Sequence, residues 1–185
     1  MDIIQLGNKV LRGISKEIPG KKITSAEIKK LLEKMSGALR KEPLGIGLAA
    51  PQIGEPKAIF IVSEYVLRPD TLSETGDGTN GAEETKKRKE KEKYLVFINP
   101  KITKLSKKKT LLTEGCLSVA GKFGKVRRST NLTIKAYDEN GHVFTRGAGG
   151  LLAQVIQHEV DHLNGILFVD KVDIKNNTRT SDVLN

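Results

Sequence analysis

The chain has 185 residues, 37% of them hydrophobic and 29% charged, which is enough apolar material for one core and suits a single domain over 1–185. No run approaches the roughly 20 apolar residues of a membrane span, and Met1-Asp2-Ile3-Ile4-Gln5-Leu6 has neither a basic leader nor an apolar signal core, so the expected location is the cytoplasm. The net charge is +10, and the lone Cys116 rules out an internal disulfide framework, leaving that thiol to be core filler, reactive group or ligand.

Thr24-Ser25-Ala26-Glu27 reads as a capping box, with the Thr24 hydroxyl and the Glu27 carboxylate serving each other's free amides. Behind it Ile28, Leu31, Leu32, Met35 and Leu39 recur at helical spacing among lysines and glutamates, which predicts an amphipathic packing helix over about 25–41. Residues 43–52 are rich in Gly and Pro yet almost uncharged, and a buried apolar loop near a ligand is expected there. Residues 57–62 and 94–99 are short apolar runs with β-branched and aromatic members, so both are predicted as buried strands. Between them, residues 64–93 form a polar insertion that is expected to be flexible. A third strand region is predicted over 126–138, where Leu132, Ile134 and Ala136 alternate with Thr133, Lys135 and Tyr137. Asn140-Gly141 signals a type I′ hairpin turn, which makes His142 an exposed strand residue and not a ligand. The polar tail over 174–185 is expected to fray.

The densest chemistry lies in Gln157-His158-Glu159-Val160-Asp161-His162. Four residues on an α-helix advance about 400°, so His158 and His162 leave nearly the same face one turn apart, within reach of one divalent ion. Glu159 lies next to that face and can meet a water at the ion as a general base. The helix is predicted from Gly149-Gly150 to a stop at Asn164-Gly165. Leu151, Val155, His158 and His162 form one stripe along it, so Leu151 and Val155 would line any cleft beside the ion and favour an apolar group on the substrate; ordinary core packing is the competing reading for both. No histidine follows His162, so a third ligand of the kind used by zinc endopeptidases is missing downstream. Cys116, in Thr113-Glu114-Gly115-Cys116-Leu117-Ser118, is the remaining soft donor, and a Cys with two His leaves a position open for catalysis.

Three segments, Gly45-Ile46-Gly47-Leu48-Ala49-Ala50-Pro51-Gln52, Glu114-Gly115-Cys116-Leu117-Ser118 and Gln157-His158-Glu159-Val160-Asp161-His162, resemble in order and spacing the signature motifs of peptide deformylases. The resemblance runs from about Val10 to Val172. It implies an α+β fold with antiparallel β-sheets surrounding a central metal-binding helix, alongside the N-terminal amphipathic helix. It also implies a hydrolase that removes the formyl group from the N-formylmethionine of nascent polypeptides. Carried over by motif, Cys116, His158 and His162 hold Fe(II), replaceable by zinc, nickel or cobalt, and Glu159 acts as base and then acid. The Gln52 side-chain amide and the Leu117 backbone N–H would stabilise the oxyanion. Ile46, Leu112, Leu151 and Val155 would form the methionine pocket, while Gly47 and Gly115 lie where the peptide backbone pairs. Glu114 would be structural, with Arg128 as its partner. Ala120 stands where many relatives have proline, and the frequent Asp-Pro before Leu11-Arg12 is absent.

The basic character is local. Residues 86–109 hold eleven Lys or Arg against Glu90 and Glu92, a net +9 of the whole chain's +10. A solvated lysine-rich loop accounts for this, and so does a contact with ribosomal RNA. Neither DNA nor a membrane is expected as a partner.

Overall fold

The structure is a computed structural model that describes residues 2–67 and 92–173, so most of the expected insertion and the expected frayed tail lie outside the described residues. Seven strands and two α-helices occur among them: α1 (Ala26–Arg40), β1 (Gly47–Ala49), β2 (Ile59–Ser63), β3 (Tyr94–Leu105), β4 (Lys109–Cys116), β5 (Val119–Ser129), β6 (Asn131–Tyr137), β7 (Val143–Gly149) and α2 (Gly150–Leu163). All pair antiparallel, in a five-stranded sheet of order β1-β2-β3-β6-β7 and a two-stranded sheet β4-β5. The α+β class with antiparallel sheets around α2 is therefore the observed one.

Strand β2 shows why its sequence is apolar without alternation. Ile59 and Ile61 pack with Ile28, Leu31, Met35 and Leu39 of α1, whereas Phe60 and Val62 pack with Leu152, Val155 and Ile156 of α2. A strand covered on both faces has no polar side to present. On the α2 face, Phe60 and Phe97 stack with centroids 4.5 Å apart, and Phe144 meets Phe97 edge-on at 5.5 Å. A third cluster of Leu11, Val119, Val126, Leu167 and Phe168 seats the β4-β5 hairpin.

Several expectations change in detail. Helix α1 is capped by Ser25, whose hydroxyl accepts from Ile28 N–H, and not by Thr24. Either residue can cap; starting the helix at Ala26 is the choice that buries Ile28, Leu31 and Met35 together. The stretch expected as one buried loop is divided: Leu44 is exposed, Gly47–Ala49 pairs with β2, and Ala50–Ile53 forms a 3-10 turn. The single strand region over 126–138 is two strands in different sheets, separated at Thr130. The Asn140-Gly141 turn is not type I′, because only Gly141 has positive φ (80°). Asp138 decides this: its Oδ1 accepts from the N–H groups of Asn140 and His142, and its carbonyl accepts from Gly141 N–H. His142 precedes β7 as an exposed loop residue, 3.3 Å from Asp138. The insertion begins as a 3-10 turn, Glu64–Leu67, with Glu64 N–H donating to the Lys93 carbonyl at 3.0 Å.

Candidate active site

Helix α2 carries most of the site, and its end is firmly set. Gly165 adopts φ 71°, with its N–H donating to the His162 carbonyl while Ile166 N–H donates to that of Asp161. This pair of bonds is a Schellman motif, and a Cβ on Gly165 would lie 2.5 Å from the Arg12 carbonyl oxygen. Gln157 ties the helix sideways to the end of β5. Its Oε1 accepts from Ser129 N–H, and its Nε2 donates to the carbonyls of Ser129 and Ala153.

The side chains expected as ligands converge. Donor atoms of Cys116, His158 and His162 lie within 4.8 Å of one another, and Cys116 Sγ is 3.2 Å from His162 Nε2. Cys116 arrives from the end of β4, where the register shifts between Gly115 and Cys116. His158 Nδ1 is 3.0 Å from Glu114 Oε2. An ionised carboxylate only accepts, so Nδ1 carries the hydrogen and Nε2 is left for the site. Buried His162 Nδ1 and Glu159 Oε2 have no hydrogen-bond partner among the described residues. Two imidazoles and a sulfur whose donor atoms converge beside an unsatisfied buried carboxylate oxygen fit a divalent ion of the zinc or iron type.

The titration of these groups follows from their surroundings. Burial raises Glu159 to about 7, partly opposed by His158 and reinforced by Glu114. Burial would lower His158, but hydrogen bonds with Cys116 and Glu114 and the charge of Glu159 outweigh it and lift His158 to about 10. His162 is pushed well down by burial and by the neighbouring His158 and Arg128 cations.

Behind these side chains lies a chain of charges, buried at Glu114, Arg128 and Asp161 and exposed at Lys171. Arg128 grips Glu114 with both Nε (2.7 Å) and Nη2 (2.8 Å), and its Nη1 reaches Asp161 at 2.5 Å. Lys171 closes the chain on Asp161 at 2.6 and 2.7 Å. The Glu114–Arg128 pair was expected from sequence; Asp161 and Lys171 were not assigned to it. Their only sequence signal was that Asp161 lies three residues from His158 and so projects from an adjoining part of the helix.

Gln52 is buried in the 3-10 turn after β1. Its Oε1 accepts from Ala49 N–H at 2.8 Å, which fixes the amide so that Nε2 donates to Ser118 Oγ at 3.2 Å and lies 3.6 Å from Cys116 Sγ. A cavity of about 400 Å³ opens beside these groups, lined among others by Ile46, Gly47, Gln52, Gly115, Leu117, Leu151, Val155, His158 and Glu159. That volume lies within the range of small-ligand pockets. Leu112 is half-buried on β4, two residues or about 7 Å along the strand from Glu114. Gln154 and Phe123 line the cavity without having been expected there, and Leu44 lines it from the loop expected near a ligand. Gly47 is held against Glu159: a Cβ there would come 2.4 Å from its Oε1.

A helix presenting His-Glu-x-x-His to a Cys from a neighbouring strand, beside an open cavity, defines a mononuclear metal-dependent hydrolase. The family model for polypeptide deformylase matches residues 1–178. The chain is 39% identical over 174 residues to the chloroplastic peptide deformylase 1A of Solanum lycopersicum, covering 92% of this chain and 59% of that protein. It is 38% identical to the peptide deformylase of Thermomicrobium roseum, covering 85% and 79% respectively. Among solved structures, the peptide deformylase of Synechococcus elongatus in complex with actinonin is similar at 34% identity with a TM-score of 0.73, covering 94% of this chain and 79% of that one. The Met-Ala-Ser-bound class I type b peptide deformylase of Acinetobacter baumannii gives 30% identity and a TM-score of 0.75, covering 93% and 98%. The chain belongs to the polypeptide deformylase family, metal-dependent hydrolases that remove the N-terminal formyl group from nascent polypeptides.

Proposed function

We propose that the chain hydrolyses the terminal formamide of N-formylmethionyl peptides, with Cys116, His158 and His162 holding one divalent ion, Fe(II) natively and zinc, nickel or cobalt as substitutes. The observation that carries the reading is a buried, unpartnered Glu159 Oε2 beside that donor set and at the edge of an apolar cavity. The bound ion supplies Lewis acidity, making hydroxide available near neutral pH. Glu159, raised by burial to about 7, is matched to accept the proton of the attacking water. The water oxygen bonds to the formyl carbon, and charge gathers on the former carbonyl oxygen. Gln52 Nε2, oriented by the bond that Gln52 Oε1 accepts from Ala49 N–H, and the Leu117 N–H donate to that oxygen without changing protonation state. When the C–N bond breaks, Glu159 returns the proton to the departing nitrogen. The products are formate and a peptide with a free methionine amine.

Ile46, Leu112, Leu151 and Val155 receive the methionine side chain, and the peptide backbone pairs with the free edges of β1 at Gly47 and of β4 at Gly115. The Acinetobacter relative bound to Met-Ala-Ser supports this class of occupant. The test follows formate and peptide fragments together on formyl-Met and unformylated peptides. Formate release without internal cleavage is expected, and Glu159→Gln is expected to keep its metal while losing turnover. Internal cleavage without formate would sink the reading.

We further propose that the basic 86–109 region contacts the ribosome, placing the protein in the cytoplasm with its nascent substrates. Lys86, Lys87, Arg88 and Lys89 lie outside the described residues. The remainder includes exposed Lys104, Lys107, Lys108 and Lys109 around the β3-β4 turn, which is a phosphate-directed surface. Replacing Lys86, Lys87, Arg88 and Lys89 by Gln should weaken ribosome association and flatten its salt dependence; unchanged binding and salt slope would remove the proposal.

A further inference from the structure

Two large apolar side chains stand in solvent at the mouth of the cleft. Leu44, in the segment before β1, is 88% exposed and Phe123, on β5, is 60% exposed, and both line the cavity that contains Glu159 and His158. Single exposed apolar residues are ordinary; two that share one cavity form a surface suited to being covered by its ligand. The backbone holds both in place. Gly45, beside Leu44, is packed so closely that a Cβ there would lie 2.7 Å from Leu39 Cδ1. Phe123 pairs with Gly115 across the hairpin, and its ring carbons would be 2.7 and 2.8 Å from a Cβ on Gly115, so the ring rests on the bare backbone of β4.

We propose that Leu44 and Phe123 form an apolar mouth that selects an apolar side chain in the two residues following the formylated methionine. The inference rests on the cleft being the site of a formylmethionyl peptide. With the methionine side chain between Leu151 and Val155, an extended chain advancing about 3.3 Å per residue carries the next two residues past Gly115 and Gly47 toward this mouth. Side chains that reach Leu44 or Phe123 gain by removing apolar surface from water, and polar ones gain nothing equivalent. Glu42 also lines the mouth, so an acidic side chain would be penalised by charge alone, and the discriminating comparison is leucine against the neutral, similarly sized glutamine.

The test measures kcat/KM for formate release from formyl-Met-Leu-Ser, formyl-Met-Gln-Ser, formyl-Met-Ser-Leu and formyl-Met-Ser-Gln with the metal-loaded full chain. Leucine is expected to exceed glutamine by about fivefold to tenfold in at least one position, a partial version of what a closed apolar pocket achieves. The double variant Leu44→Ser, Phe123→Ser should bring that ratio close to one, and Phe123→Glu should turn the preference toward lysine at the same position. A ratio near one in the unaltered protein, or an unchanged ratio in the double variant, overturns the proposal. Absence of formate from all four peptides would instead overturn the reading of the cleft as a deformylase site.

Discussion

Alanine at Gly47 tests whether the position of the general base is set by bare backbone. The added Cβ would lie 2.4 Å from Glu159 Oε1, 3.0 Å from its Cδ and 2.9 Å from Val155 Cγ1, where ordinary contact begins at 3.4 Å. The carboxylate oxygen must therefore retreat by about 1 Å. Helix α2 cannot absorb the shift, because Gln157 bolts it to Ser129 and its apolar residues pack against β2. A displacement of about 1 Å at a reacting group costs on the order of 100-fold in rate. The assay is kcat for formate release from a formyl-Met peptide, with metal content measured on the same preparation. We expect kcat to fall about 100-fold and stability to fall by about 1–3 kcal/mol from overpacking, while KM moves little because the Gly47 backbone groups remain. Metal should be retained, since no proposed ligand is touched. An unchanged kcat, or a loss that tracks missing metal, would refute the argument.

Three further outcomes follow from the charges around the site. Arg128→Met leaves Glu114 and Asp161 buried without their shared cation, and a loss of about 3–5 kcal/mol in urea unfolding is expected; a loss below about 1 kcal/mol would mean that the network contributes little. Burial alone would raise Glu114, but Arg128 and His158 hold it at about 2, below its ordinary 4.5. Its stabilisation is thus present above pH 4.5 and lost as pH falls toward 2, a change of about 3 kcal/mol. Glu114→Gln should remove that part of the acid-induced decline, and an identical pH profile would contradict the assignment. Cys116→Ser should weaken metal affinity by more than about 100-fold in a chelator competition, with the fold retained by circular dichroism; equal affinity would exclude Cys116 from the ligand set.

The metal-bearing helix was legible because its signals are local: an apolar stripe, two histidines one turn apart, and Asn164-Gly165 at the stop. Strand β4 was not read as a strand, since Lys109, Thr110, Thr113 and Glu114 dilute its pattern and its pairing with β5 is fixed by the distant cluster around Phe168. The Asn140-Gly141 turn misled because a dipeptide preference was overridden by the Asp138 carboxylate. Leu44 was expected inside on composition, and composition cannot tell a buried loop from an apolar cleft rim. Asp161 became the shared partner of Arg128 and Lys171 only when three separate elements met. The family was accessible through three motifs whose spacing could be compared as a set.

Strands β1 and β4 each end their own sheet, and both border the same cleft. Exposed strand edges ordinarily invite pairing with other chains and aggregation. Here residues of both edges line one cavity, which a single extended terminus could enter. A bound peptide would stitch the five-stranded and two-stranded sheets into one eight-stranded surface, so that the substrate serves for one turnover as a missing strand of the enzyme. Because those bonds are made by main chain, the same closure would be available to any newly begun polypeptide.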